Sequence, residues 1–230
     1  MTKLPAVLYC AIVVVSPLSI YNLRDGKRGI ITEDRLAIFI DGSNLYHALK
    51  NNFNRYDLNF DSFTAKLCGS RQLFRTYYYN VRQDPAQRPE GNREQQEFLD
   101  ILSKTPRLEV RLGGTKTAQG VPVEKGVDIM LATDLLNFAW LNYYDVAIIV
   151  SGDADFAYAL QSVKNMGKHI EVAYFESGVS RDLLNVADHH QLLDRTFFNG
   201  LWAGRRRTKR RRSTPAVSRE RPEGHSPVEG

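Results

Sequence analysis

From Arg35 onward, short runs of apolar and β-branched residues alternate with helix-length amphipathic segments. That alternation is what parallel strands joined by crossover helices require, so it confines the chain to the α/β class. We expect a three-layer α/β/α arrangement with a central, mainly parallel sheet of five to six strands. The spacing predicts strands at Leu36–Ile40, Phe74–Asn80, Leu108–Leu112, Val146–Val150 and Ile170–Tyr174. It predicts helices at Leu45–Asn52, Asp61–Leu67, Glu90–Ser103, Val127–Leu141, Phe156–Met166 and Arg181–Ala187. Gly113–Gly126, with four glycines, reads as a hairpin or flexible loop feeding the fourth helix and bordering an active site.

The 230 residues, 43% of them hydrophobic, suffice for one domain with a full core. We place it at residues 35–198, between an N-terminal extension (1–34) and a C-terminal tail (199–230). The formal charge of +5 resides in the tail: between Gly204 and Gly230 nine Lys/Arg face three Glu, a net +6, which leaves −1 for the rest. Arg205–Arg212 is suited to nonspecific RNA or ribosome contact that weakens as salt rises, although the same run matches a nuclear-import signal. Too few apolar residues follow Phe198 to support packing, so this tail is expected to be disordered when free. Cys10 and Cys68 form neither a disulfide framework nor a zinc spacing, which indicates a reducing, cytoplasmic setting. The apolar run Leu4–Ile20 is interrupted by Pro5, Ser16 and Pro17 and falls short of the roughly 20 apolar residues of a membrane span. A membrane anchor is the minor alternative, and Asn22–Asp34 reads as a linker.

Two of the strands end abruptly in aspartate. Ala37-Ile-Phe-Ile-Asp41-Gly-Ser-Asn44 delivers Asp41 to the carboxyl edge of the sheet, where open α/β folds bind ligands. Gly42 allows a tight turn there, and Ser43 or Asn44 can cap the next helix. Ala147-Ile-Ile-Val-Ser151-Gly-Asp153-Ala-Asp155 repeats the design with two acids near a helix start. Plain helix capping explains either strand end equally well when taken alone. The third feature, Val127–Trp140, is apolar nearly all round and therefore buried, yet it carries Asp128 and Asp134. Six residues separate them, about 120° on a helix, so both cannot face one ion. Asp128, in the first turn, is the better ligand; Asp134 reads as a supporting partner or a backbone-amide acceptor.

Carboxylates gathered at one sheet edge repel each other unless a cation sits among them. A set of aspartates without His or Cys selects Mg²⁺ or Mn²⁺ over zinc. Metal held this way serves phosphodiester hydrolysis, either singly or as an ion pair about 4 Å apart.

At IDGSNLY (Ile40–Tyr46), KGVDIMLATD (Lys125–Asp134), SGDADF (Ser151–Phe156) and SRDLLNVAD (Ser180–Asp188) the chain resembles the NYN domain family, in its LabA-like branch. The resemblance spans Arg35 to about Asp194 and implies a PIN-like fold and a metal-dependent ribonuclease, which we read as an endoribonuclease. It implies metal-binding acids at Asp41, Asp128 and Asp153, with Asp155 completing the set. It also places Asn44 beside the metal and gives Ser151 the task of holding the strand-end turn, with Ser43 in support.

RNA phosphates need basic partners. Lys125 reads equally as a phosphate contact and as an exposed loop lysine, and Arg181 is the weaker candidate. Tyr77–Tyr79 offers stacking surfaces, but strand alternation under covering helices makes packing the better reading. Trp140 and Tyr143 leave homodimerisation open. The runner-up function is a noncatalytic RNA-binding or regulatory module, whose signature would be a missing acid; none is missing. A small-molecule phosphohydrolase with Asp41 as nucleophile is less favoured, because Ser43 stands where such enzymes carry a second aspartate. DNA in place of RNA stays open.

Overall fold

The computed structural model describes residues 20–22, 29–31, 34–83, 85–86, 89–118 and 121–203, with the backbone alone at 20–22, 29–31, 115–118 and 121–125. The strands of its main sheet are β1 (Arg35–Asp41), β2 (Gln72–Val81), β3 (Leu108–Ala118), β4 (Val121–Lys125), β5 (Val146–Val150), β6 (His169–Tyr174) and β7 (His189–Leu192). The helices are α1 (Gly42–Phe53), α2 (Phe60–Cys68), α3 (Pro89–Leu102), α4 (Val127–Trp140), α5 (Ala157–Asn165) and α6 (Arg181–Val186). The sheet order is β4-β3-β2-β1-β5-β6-β7. All neighbours are parallel except the β3/β4 hairpin, so six parallel strands form the centre of a PIN-like three-layer fold.

β1 is central because every residue from Leu36 to Asp41 is buried, as a strand covered on both faces must be. Alternation then sends its side chains to two cores. Leu36, Ile38 and Ile40 join Tyr78, Phe60 and Phe63 beneath α1, α2 and α3. Ala37 and Phe39 join Tyr77, Tyr79, Leu131 and Phe138 beneath α4, α5 and α6. The three tyrosines thus pack as alternation requires, on opposite faces and almost fully buried.

The predicted elements appear with ends shifted by a few residues, and several readings need correction. The segment Gly113–Gly126 is a true hairpin, β3/β4. The helix expected from Phe156 is preceded by a tight 3₁₀ turn at Ala154–Phe156 and starts at Ala157. Strand β7 was not foreseen: His-His-Gln-Leu has no apolar run, and an edge strand held by its ladder to β6 needs none. Within the presumed linker, Gly29–Ile31 pairs antiparallel with Ile20–Asn22. Packing also continues past Phe198. Leu201 is buried, the Trp202 ring stacks 5.4 Å from Phe198, and Ala203 N–H donates to the Asp57 carbonyl at 2.8 Å. The apolar run up to residue 19 and the Arg205–Arg212 tail lie outside the described residues, among which no helix is long and apolar enough to cross a membrane. Trp140 is 78% exposed, and homodimerisation through it stays a proposal.

Asp134 serves this packing and not the sheet edge. Its Oδ2 accepts from the Tyr79 hydroxyl at 2.9 Å and from Arg111 Nη1 at 2.5 Å, tying α4 to β2 and β3. Arg111 in turn lies 5.2 Å and 5.3 Å from the rings of Tyr77 and Phe138. Asp134→Ala would strand a half-buried guanidinium and a phenol, so we expect a loss of about 2 kcal/mol or more in urea unfolding. An unchanged midpoint would show that water replaces the carboxylate without cost.

Candidate active site

Strand order reverses at β1: the chain moves outward through β2 and β3, then returns to β5 on the other side of β1. Such a switch point opens a crevice at the carboxyl ends of the strands. Ile40 is paired with Val150 in the β1/β5 ladder, so the next residues, Asp41 and Ser151, leave the sheet side by side.

A chain of hydrogen bonds fixes this edge. Asp41 caps α1, its Oδ1 accepting the Asn44 backbone N–H at 3.0 Å. Its Oδ2 accepts from Ser151 Oγ at 3.1 Å. Ser151 Oγ also receives the Asp153 N–H at 3.2 Å, and Asp153 Oδ1 receives the Asp155 N–H at 3.0 Å. Capping is therefore real for Asp41 and Asp153. It leaves lone pairs over on each carboxylate, which has about four acceptor sites.

Electrostatics joins Asp128 to the group. Asp41 is 6% exposed. Burial above all holds its carboxyl above the usual aspartate range, against the two hydrogen bonds; Asp128 and Asp153 push it further up. Asp128, exposed at the start of α4, is also pushed up, by desolvation first and then by Asp153 and Asp155. Among the described residues no Lys or Arg forms an ion pair with any of the four acids. Nor do three of these side chains, as placed, enclose a metal directly. The convergence expected from the sequence is thus electrostatic neighbourhood and not a closed cage. That openness suits Mg²⁺, which dehydrates reluctantly and is commonly bound through one or two carboxylates and several waters. A buried Asp41 with Asp128, Asp153 and Asp155 at the more open rim, and no ion-paired Lys or Arg among the described residues, fits such an ion.

The remaining expected residues are distributed as follows. Asn44 reaches the site through its backbone. Ser43 does not touch the acids; its Oγ donates to Asn80 Oδ1 at 3.2 Å, tying α1 to the end of β2. Lys125 ends β4, and its side chain lies outside the described residues. Arg181 opens α6 on the same edge, because Ser180 N–H donates to the Gly152 carbonyl at 2.9 Å. Asn80 was missed; it also donates to the Tyr78 hydroxyl at 3.0 Å. Its place at a strand end, like that of Asp41, was the available signal.

Gly42 is required for a different reason from the one its sequence suggested. Its φ is not positive; instead, a Cβ there would come within 2.4 Å of the Tyr78 ring and 2.6 Å of the Tyr79 carbonyl. Gly42→Ala should therefore cost about 1–3 kcal/mol by overpacking and displace Asp41. Calorimetry showing wild-type stability would mean that the Tyr78 ring and the Tyr79 carbonyl both give way freely.

The family model of the NYN domain matches residues 35–194. The chain belongs to the NYN domain family. It is 28% identical over 163 residues to the low amplitude and bright protein LabA of Synechococcus elongatus, covering 68% of this chain and 82% of that one. The crystal structure of a Vibrio parahaemolyticus protein of unknown function shares the fold, with a TM-score of 0.60 and 21% identity over 71% of this chain and 94% of the other. NYN domains are PIN-like nuclease domains, so Asp41, Asp128, Asp153 and Asp155 stand at the edge of a nuclease-type, RNA-related fold.

Proposed function

We propose that this NYN domain is a divalent-metal-dependent endoribonuclease hydrolysing RNA phosphodiester bonds. The observation that carries the reading is the group of four aspartates at the switch point, where Asp41 and Asp128 are held above the ordinary aspartate range by desolvation and then by the neighbouring acids, without a basic partner among the described residues. Asp41, Asp128, Asp153 and Asp155 would hold Mg²⁺ or Mn²⁺, which when bound supplies charge stabilisation at phosphorus and activates water.

The chain's own residues do the positioning. Ser151 and the Asn44 N–H fix both oxygens of Asp41. The Asp153 and Asp155 amides lock the SGDAD turn, so the acids are set before substrate arrives, and preorganisation of this kind avoids rearrangement during reaction. Lys125 and Arg181 are the proposed phosphate contacts flanking the acids. An open sheet edge accepts a chain running through it, which favours internal cutting.

The test is labelled RNA incubated with the full chain and Mg²⁺ or Mn²⁺, beside an EDTA control and the matching DNA. Internal fragments that require metal support the reading. Stepwise shortening from one end would replace endonuclease by exonuclease, and equal cutting of DNA would remove the restriction to RNA.

A further inference from the structure

Two depressions are lined in part by α1. The nearer, about 220 Å³, is bordered by Asn44, His47, Asn51, Gly152, Phe175 and Ser177. It opens beside the acids, since Asn44 donates to Asp41 and Gly152 precedes Asp153. The farther, about 460 Å³, is bordered by Phe53, Arg55, Arg195, Phe198, Asn199 and Trp202. The 12 residues of α1 separate the Asp41 cap from the far end, about 18 Å at 1.5 Å per residue. Rings lining the farther depression touch a ring lining the nearer one. Phe53 lies 6.3 Å from Phe175 and 4.9 Å from Phe198, and Phe175 stacks on Phe198 at 5.7 Å.

The far cavity lies within the range of about 300–1,000 Å³ typical of ligand sites, and its chemistry is specific. Arg55 is held by Asp57 through two hydrogen bonds of 2.8 and 2.7 Å, and its guanidinium lies 4.6 Å from the Trp202 ring centre. The guanidinium and the indole together form one wall of the cavity. Arg195 is exposed and lies 5.9 Å from the Phe53 ring centre, and among the described residues it has no carboxylate within ion-pair distance. A free cation beside aromatic faces suits a phosphate and a stacked base. The near cleft presents the neutral donors and acceptors of Asn44, Asn51 and Ser177, which suit ribose hydroxyls and base edges.

We propose that single-stranded RNA runs from the aspartates along α1, through the Asn44–Asn51 cleft, to a distal clamp. There Arg195 pairs with a backbone phosphate, and a base stacks against the Trp202–Arg55 wall. The track rests on the ribonuclease reading and adds a substrate class to it, a single-stranded chain extending several nucleotides to one side of the cut.

Binding to the full chain in EDTA tests the track without cleavage. The probes are a mononucleotide and single-stranded RNAs of about 4 and about 12 nucleotides, which bracket single-strand site sizes. Arg195→Ala should weaken the longer RNA about tenfold and lower the slope of log K against log salt by about 0.7, one phosphate's worth. It should leave the shorter RNA unaffected, and Arg195→Lys should restore most of the loss. With Mg²⁺ present, Arg195→Ala should raise KM on the longer RNA at unchanged kcat. Equal affinity of the wild type and Arg195→Ala for an RNA that the wild type binds and cuts would overturn the track alone. Mononucleotide binding as tight as that of the longer RNA would also overturn it, making the cavity a free-nucleotide site. Failure of the wild type to bind RNA of either length would overturn both the track and the ribonuclease reading.

Discussion

Asp41→Asn and Asp153→Asn are each expected to lower RNA cleavage by about 10³-fold or more, because a bound metal supplies several kcal/mol of transition-state stabilisation and each 1.36 kcal/mol is tenfold. Both substitutions keep an acceptor oxygen for the amide each aspartate caps, the Asn44 N–H and the Asp155 N–H, so the fold should survive and circular dichroism should be unchanged. Asp61→Asn, in the first turn of α2 and not among the charges that act on Asp41 or Asp128, should cut like the wild type. Full activity in both site variants would locate the chemistry elsewhere. RNA binding without cleavage in any metal, unchanged in the variants, would make the domain a noncatalytic RNA-binding module. Hydrolysis of a small phosphate ester but not of RNA would favour the phosphohydrolase.

In EDTA at neutral pH, Asp41→Asn should be more stable than the wild type, with a melting temperature raised by about 2–4 °C, corresponding to about 1 kcal/mol in a domain of this size. The sign follows from the direction in which the proton is held. Burial raises the Asp41 carboxyl above its ordinary range in the folded state, so the fold binds this proton more tightly than the unfolded chain does. Stability therefore falls as pH rises from the ordinary aspartate range through the raised value, and at pH 7 the ionised group is a cost. Asparagine removes the charge, and the advantage should vanish in acid, where Asp41 is protonated in both states. Mn²⁺ should stabilise the wild type by mass action, about 2.7 kcal/mol at 100 times the dissociation constant, and leave the variant unmoved. Calorimetry across pH, with and without metal, reads all of this. A variant less stable than the wild type in EDTA would mean that Asp41 is already compensated by a positive group.

The substitution trades stability for function in the direction expected of an active site. Asp41 and Asp128 are costly for the metal-free domain to ionise, while Gly42 and Ser151 are committed to keeping Asp41 in place. Gly152 is constrained likewise: a Cβ there would come within 2.6 Å of the Gly178 carbonyl, so the turn carrying Asp153 and the segment leading into α6 are packed backbone to backbone.

The parts of the molecule legible in the sequence were those encoded locally. Apolar runs such as Leu36–Ile40 and Val146–Val150 give strands because period and burial are properties of consecutive residues. A strand that stops at an aspartate announces a sheet-edge acid, and by that logic Asp41 and Asp153 could be named without coordinates. Whatever depended on a partner distant in the chain could not be read. Whether Asp134 faced the acids or Tyr79 was decided by the rotation of α4 against β2, 55 residues away. His189–Leu192 is a strand only because β6 offers it a ladder. Trp202 belongs to the domain because Phe53 and Phe198 present it with rings. Gly42 needs its hydrogen because Tyr78 from the neighbouring strand fills the space a methyl would take. The sequence by itself determined which acids the chain brings to the sheet edge; the tertiary structure decided their company, because hydrogen bonding, desolvation and like-charge repulsion act across space between residues such as Asp41 and Ser151 that lie 110 positions apart.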